Sequence, residues 1–281
     1  MTTIGLLHPG EMGASVGASG RANGHRVLWT SQGRGTDTRR RAEAAGLEDA
    51  GTLAKLVAAS DVVLSVCPPH AALDVAAAVA AQHFRGVYVD GNAVAPATAR
   101  SLARIVQAAG ATYVDGGIIG PPPDKPGTTR LYLSGPDAGR VSPLFAAGPL
   151  EAVVLGGDLT AASAIKMAYA AWTKGSQALI MNVRALAAAE GVDEALLAEW
   201  VRSQPDLPKR SEGAAKGTAR KAWRWVGEME EIAATFKGVG LPDGFHVGAG
   251  EIYRRMSGYK DAPAPPSMED VAKTLLEEGR S

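Results

Sequence analysis

Lys166 is the only charged residue between Asp158 and Lys174, set in an otherwise small, apolar and hydroxyl-bearing stretch. A lysine so placed has two fates. It snorkels to water, or partial burial lowers its pKa toward neutrality and it hands a proton to an oxygen that is gaining charge. Tyr169 and Thr173 follow at i+3 and i+7, so all three share one face of a helix. Both are candidate substrate ligands; the alternative for Tyr169 is plain packing with its hydroxyl satisfied.

A second chemical signal opens the chain. Ile4-Gly5-Leu6-Leu7-His8-Pro9-Gly10-Glu11-Met12-Gly13 reads as an apolar strand, a tight turn and the start of a helix. Such a turn lets backbone N–H groups and a helix N-terminus face a pyrophosphate. Gly10 allows close approach, and Gly13 is expected to let the helix pack on the strand. His8 stands where G-x-G-x-x-G has its first glycine, so the match is partial. His8, Pro9, Gly10, Glu11, Met12 and Gly13 are the expected cofactor-binding turn.

The next strand bears on the choice of cofactor. A site for NAD places an acid about 20 residues on, against the ribose 2′-hydroxyl. Here Val27-Leu28-Trp29 leads into Thr30-Ser31-Gln32-Gly33-Arg34, with no carboxylate before Asp37. The Ser31 hydroxyl and Arg34 guanidinium suit the 2′-phosphate of NADP(H). Arg39-Arg40-Arg41 read as the solvated start of a helix.

These residues need a scaffold, and the hydrophobic pattern supplies one. Short apolar runs at 3–7, 26–29, 61–66, 86–89, 112–114, 130–134 and 151–155 read as strands. Helical stretches lie between them at 13–23, 52–59, 71–82, 97–109 and 136–146. Strands alternating with helices imply βαβ units around a mainly parallel sheet. After Gly156-Gly157 the strands stop. Helices are expected over 159–190, 193–203, 212–237, 245–256 and 268–278, the last after a proline-rich connector at 261–267. The fold class is α/β, with a Rossmann-type dinucleotide-binding domain over 1–157 and an all-α substrate and dimerisation domain over 158–281.

Composition excludes several classes. Lys plus Arg is 29 and Asp plus Glu is 29, which argues against nucleic-acid or anionic-membrane binding. One cysteine rules out an internal disulfide. The five histidines form no i,i+4 pair and no cluster with acids at ligand spacing, so no metal is expected. No run resembles a membrane span or signal segment, and a soluble, cytoplasmic protein is expected.

The order of motifs resembles the β-hydroxyacid dehydrogenase superfamily, which includes 6-phosphogluconate and 3-hydroxyisobutyrate dehydrogenases. Gly10-Glu11-Met12-Gly13 looks like the opening motif of that family. Ser65-Val66-Cys67-Pro68-Pro69 looks like its loop on the nicotinamide side, which makes Cys67 and Pro68 cofactor contacts. Val89-Asp90-Gly91-Asn92-Ala93-Val94-Ala95-Pro96 looks like its first substrate loop. There Asn92 offers an amide to substrate or to the nicotinamide ribose, the alternative being a turn cap. Asp115-Gly116-Gly117-Ile118-Ile119-Gly120-Pro121 looks like its second substrate loop, giving Ile119 and Gly120 as substrate contacts. Lys166 in Ala164-Ile165-Lys166-Met167 matches the catalytic lysine. The C-terminal part, with Trp223, Trp225 and His246, is similar to a little-characterised all-α domain of one subgroup, which also carries the HPGEMG turn.

The resemblance implies an NADP-dependent oxidoreductase that interconverts an alcohol and a carbonyl on a small molecule, with Lys166 as general acid/base. It also implies a homodimer formed through the all-α domain. Three departures weigh against the usual short hydroxyacids and against 6-phosphogluconate most of all. Tyr169 and Ala170 stand where the family carries asparagine. Ile119-Gly120-Pro121 replaces serine–glycine–glycine, and the long C-terminal extension of 6-phosphogluconate enzymes does not fit in this length. The rival readings are an imine reductase of the same fold and a non-catalytic NADPH-binding protein.

Overall fold

The computed structural model describes residues 1–277. The chain divides into two compact units, Met1–Met167 and Ala168–Ser281.

The first unit is built on strands β1 (Thr3–Leu7), β2 (Arg26–Trp29), β3 (Glu48–Asp49), β4 (Val62–Ser65), β5 (Val87–Asp90), β6 (Thr112–Ile119), β7 (Thr129–Ser134) and β8 (Leu150–Val154). Its helices are α1 (Glu11–Ala22), α2 (Thr36–Ala44), α3 (Leu53–Ala59), α4 (Ala72–Ala80), α5 (Pro96–Ala108) and the short α6 (Ala138–Val141). The strands form one sheet in the order β3-β2-β1-β4-β5-β6-β7-β8. Pairing is parallel except between β6 and β7.

Alternation along each strand sorts the apolar side chains onto two faces. Ile4, Leu6, Val27, Trp29, Val62, Leu64, Val87 and Val89 pack into one cluster with Val16 of α1 and Phe145. Leu7, Leu28, Val63 and Tyr88 pack into the other, with residues of α3, α4 and α5. Both faces are covered, so these strands read as unbroken apolar runs.

The structure adds one strand that was not expected and changes two expectations. The edge strand β3 carries only Glu48 and Asp49, which leave no apolar signal. The stretch 136–146 is not one helix, because α6 gives way to a 3₁₀ turn at Ser142–Phe145 with Pro143 in its first positions. Most consequential for function, residues 115–119 are not a loop. They continue β6 and pair with β7 from Asp115↔Ser134 to Ile119↔Arg130.

Helix α7 (Ala161–Ala189) begins in the first unit and continues into the second. The second unit adds α8 (Asp193–Ser203), α9 (Leu207–Thr218), α10 (Ala222–Gly238), α11 (Gly244–Arg255) and α12 (Met268–Glu277). The single helix expected over 212–237 is two. A 3₁₀ turn at Ala219–Lys221 separates α9 from α10, and α9 starts earlier because Pro208 occupies a first-turn position where no N–H is needed. Glu278, the last residue of the expected final helix, lies outside the described residues.

Buried polar ties hold this unit. Arg184, 7% exposed, forks onto Asp193 at 2.5 and 2.8 Å and donates to Ser211 at 2.7 Å. Lys174 pairs with Glu228 at 2.8 Å and lies over the Trp225 ring, which meets Tyr253 edge-on. Lys174 is therefore a packing cation of the helical unit. Trp225 faces inward with it, while Trp223 is 41% exposed beneath Lys260.

Candidate active site

The carboxyl ends of β1, β2, β4 and β5 all open on one edge of the sheet. Open α/β sheets present ligand-binding loops there, at the point where the strand order reverses. That point lies between β1 and β4.

β1 is followed by His8, whose φ of 66° explains why this position of the motif is commonly glycine. Gly10 is the N-cap of α1 and has no side chain to cap the helix. A Cβ on Gly10 would meet nothing within 4 Å, whereas one on Gly13 would stand 2.4 Å from the His8 carbonyl oxygen. Gly13 is thus required by the turn itself. The glycines that let α1 lie on the sheet are Gly17, against Leu6, and Gly20, against Ile4. The uncapped helix end, the open space at Gly10 and the buried, unpartnered Nδ1 of His8 fit the phosphates of a dinucleotide.

Three of the expected cofactor residues influence one another electrostatically. The pKa of His8 is lowered to about 4, first by burial and then by the positive charge of Arg34. Arg34 is itself shifted down by burial and feels Cys67. The Cys67 thiol is pushed up to about 11, chiefly by burial, so it stays protonated at neutral pH. Ser31 stands on the same turn, with its N–H donated to Asp49 Oδ1 at 3.1 Å. Asp49 also accepts from Gly51 N–H at 2.7 Å and lies 3.9 Å from Arg39. This carboxylate beside the β2 turn escaped sequence reasoning because it arrives from β3, not from β2 itself.

Asn92 is only 2% exposed. Its Oδ1 accepts the Cys67 N–H at 2.6 Å, and its Nδ2 donates to Ser65 Oγ at 3.2 Å and to Asp90. The amide ties the β5 loop to the β4 loop that carries Cys67 and Pro68.

Lys166 lies in the second turn of α7, half-buried, with Nζ donating to the Ile118 carbonyl at 2.7 Å. The close approach depends on Gly117, where a Cβ would stand 2.4 Å from the Ala162 carbonyl oxygen and 3.0 Å from Lys166 Cβ. Ile119 is buried at 4%, and Gly120, at φ 126°, begins the turn out of β6. On α7, Tyr169 is 50% exposed and Thr173 donates to the Tyr169 carbonyl at 3.0 Å. His246 is buried against Phe236 and Phe245, which lowers its pKa. It lines a cavity of about 790 Å³ in the helical unit together with Trp172, Trp200 and Arg210.

Residues 2–147 match the model of the NAD binding domain of 6-phosphogluconate dehydrogenase, more than half of the chain. The chain belongs to this family. Its dinucleotide-binding domain is of the NAD(P) type, and residues 187–256 match a domain of unknown function (DUF1932). The uncharacterized 28.5 kDa protein in the 7S RNA 5′ region of Methanothermus fervidus is 31% identical over 167 residues. That alignment takes in 59% of this chain and 63% of the relative.

Among solved structures, one conserved protein of unknown function with structural similarity to 3-hydroxyacid dehydrogenases is 25% identical. It matches with a TM-score of 0.68 over 92% of this chain and all of its own. The 3-hydroxyisobutyrate dehydrogenase of Mycobacterium tuberculosis, solved with L-serine, shares the fold at a TM-score of 0.72 and 18% identity, over 98% and 99% of the two chains. The reductive aminase of Aspergillus terreus, solved with NADPH, cyclohexanone and allyl amine, shares it at 0.56 and 19%, over 99% of each. The chain thus carries the cofactor domain of this family and shares its overall fold with 3-hydroxyisobutyrate dehydrogenase and reductive aminase structures. No described helix is long and apolar enough to cross a membrane.

Proposed function

We propose that this protein reduces a carbonyl group on a small polar molecule with NADPH, Lys166 being the proton donor. The observation that carries the reading is the hold on Lys166, whose ammonium is fixed 2.7 Å from the Ile118 carbonyl on a strand of the cofactor-binding sheet. When bound, the reduced nicotinamide supplies hydride. The turn from His8 to Gly13 would hold the pyrophosphate, Ser31 and Arg34 the 2′-phosphate, and the Cys67-Pro68 loop the nicotinamide side. Asn92 would act on the cofactor through that loop, since its amide already serves Cys67, Ser65 and Asp90. Lys166 Nζ, already a donor, would stabilise the developing oxyanion and deliver its proton to it. Ile119, Gly120, Tyr169 and Thr173 are the substrate contacts of this reading.

The half-exposed phenol of Tyr169, one turn beyond Lys166, favours imine reduction as the second reading. A phenol can protonate an imine nitrogen as an ammonium protonates a carbonyl oxygen. Exposed Trp172 (69%), Leu179 (48%) and Leu186 (61%) recur at seven-residue intervals on α7, which supports a homodimer formed through the helical unit.

The test is NADPH oxidation against an array of aldehydes, ketoacids and cyclic imines, with wild type and Lys166→Ala. The variant is expected to lose about 10²–10⁴-fold in turnover while binding NADPH normally. Unchanged turnover would end the proposed role, and failure of every substrate with wild type would favour a non-catalytic NADPH-binding protein.

A further inference from the structure

Helix α7 is not capped by its own sequence. Thr160 stands at the N-cap, with its carbonyl accepting from Ala164 N–H at 3.0 Å. Its hydroxyl, however, is turned to Asp158 and Arg100. The Ala161 N–H goes to the Asp158 carbonyl at 3.1 Å, and the next two N–H groups of the first turn are met from the sheet. Ser134 Oγ on β7 accepts the Ala162 N–H at 3.0 Å. Asp115 Oδ2 on β6 accepts the Ser163 N–H at 2.6 Å, and Asp115 Oδ1 accepts the Ser163 hydroxyl at 2.6 Å. Asp115 is fully buried. A carboxylate is thus driven into the core to close the one helix end that leads to Lys166.

That placement has an electrostatic consequence. A helix N-terminus carries about half a positive charge, which disfavours a second positive charge in the next turn. Lys166 follows Ser163 by three residues and lies on the same face. A full negative charge at the N-terminus offsets the helix and favours the ammonium.

We propose that Asp115 is a positioning residue for Lys166, clamping the first turn of α7 from β6 and setting with its negative charge the proton affinity of the ammonium one turn on. This rests on the reading of Lys166 as proton donor. The groups facing Asp115 are Tyr113 on its own strand, Asp90 in register on β5, Ser134 on β7 and Ser163 on α7, with Lys166 one helical turn beyond Ser163. None of the described groups that meet Asp115 directly is a cation, so its charge acts on Lys166 through the first turn of α7. Burial pushes Asp115 up to about 6 in spite of the opposing bonds from Ser163, so it carries its charge at neutral pH and loses it in mild acid.

The experiment reads Lys166 itself, without substrate. Full-length protein is acetylated competitively across pH 6–11, and the Lys166 peptide is quantified by mass spectrometry. In Asp115→Asn, which keeps an acceptor for Ser163 but no charge, the Lys166 midpoint is expected to fall by roughly one unit. In Ser163→Ala, which keeps the charge and the backbone bond, it is expected to stay in place. An unmoved midpoint in Asp115→Asn, or an equal shift in both variants, overturns the proposal.

Should Asp115→Asn fail to fold, wild-type protein carrying ¹³C-lysine decides. The Lys166 Cε resonance, assigned with Lys166→Arg, should inflect near pH 6 as Asp115 takes its proton, and a flat trace from pH 5 to 7 overturns the coupling. Because neither measurement uses turnover, failure here is distinguishable from failure of the catalytic reading. Persistent turnover in Lys166→Ala beside a shifted midpoint would leave the coupling standing and remove its link to chemistry.

Discussion

Two helix N-termini come to the same sheet in this molecule, and they are finished in opposite ways. At α1 the end is left open: Gly10 has no cap, its missing Cβ would point into space, and His8 Nδ1 is buried without a partner. At α7 the end is closed by Ser134 and Asp115, with Gly117 beneath it admitting no Cβ. An open end suits a charge that arrives with a ligand. A closed end suits a side chain that must not move. The pair shows how one backbone feature serves binding in one place and positioning in another.

The comparison breaks first at Gly117. Gly117→Ala forces a Cβ into the Ala162 carbonyl, so a loss of about 2–3 kcal/mol in urea unfolding is expected, with turnover falling alongside. A variant of wild-type stability would show that the closed end tolerates slack.

The two glycines of the open end should then part company. Gly13→Ala meets the His8 carbonyl and is expected to lower the unfolding midpoint and NADPH affinity together. Gly10→Ala should leave stability within about 0.5 kcal/mol, because a surface change without a clash is near neutral. NADPH binding in Gly10→Ala should still weaken, as read by fluorescence titration. Similar unfolding midpoints for the two would blur the contrast. Arg34→Asp is expected to weaken NADPH by about tenfold or more and NADH much less, from the loss of charge-assisted bonds to the 2′-phosphate. Equal losses would remove Arg34 from the phosphate site.

The smallest effect is in the pH dependence of stability, where the two ends oppose each other. His8 falls from 6.5 to about 4 on folding, so the unfolded chain binds more protons in that range and stability rises with pH across it. Asp115 rises from 3.8 to about 6, so the folded chain binds more protons there and stability falls with pH across that range. Wild type should therefore show a shallow profile between pH 4 and 6.5. His8→Asn, whose side chain tolerates a positive φ, should leave a thermal midpoint that declines from pH 4 to 6. Asp115→Asn should leave one that climbs from pH 4 to 6.5, and matching slopes in the two would refute the opposition.

The open end was largely legible in the sequence, because its parts are contiguous. A strand, a turn and a helix start within ten residues announce a nucleotide site, and the βαβ alternation around them fixed the sheet class. The closed end was legible only as an isolated lysine. Asp115, Ser134 and Ser163 lie on three elements, and nothing local marks an aspartate that will cap a helix far along the chain. The family resemblance implied a loop at Asp115–Pro121, whereas here Gly116 and Gly117 continue a strand, and their smallness admits the Asp90 and Ala162 carbonyls. Asp49 was missed for a similar reason, since a two-residue edge strand of charged residues has no pattern to detect.

The cap on α7 also orders events in time. Asp115 and Ser163 stand 48 residues apart, so their bond must wait for β6 and the start of α7 to meet. The turn from His8 to Gly13 closes on neighbours a few residues away. Loop-closure entropy makes the short contact quick and the long one slow. A refolding chain should therefore regain its grip on a nucleotide before it regains a fixed ammonium beside it, and recovery of activity should lag recovery of cofactor binding.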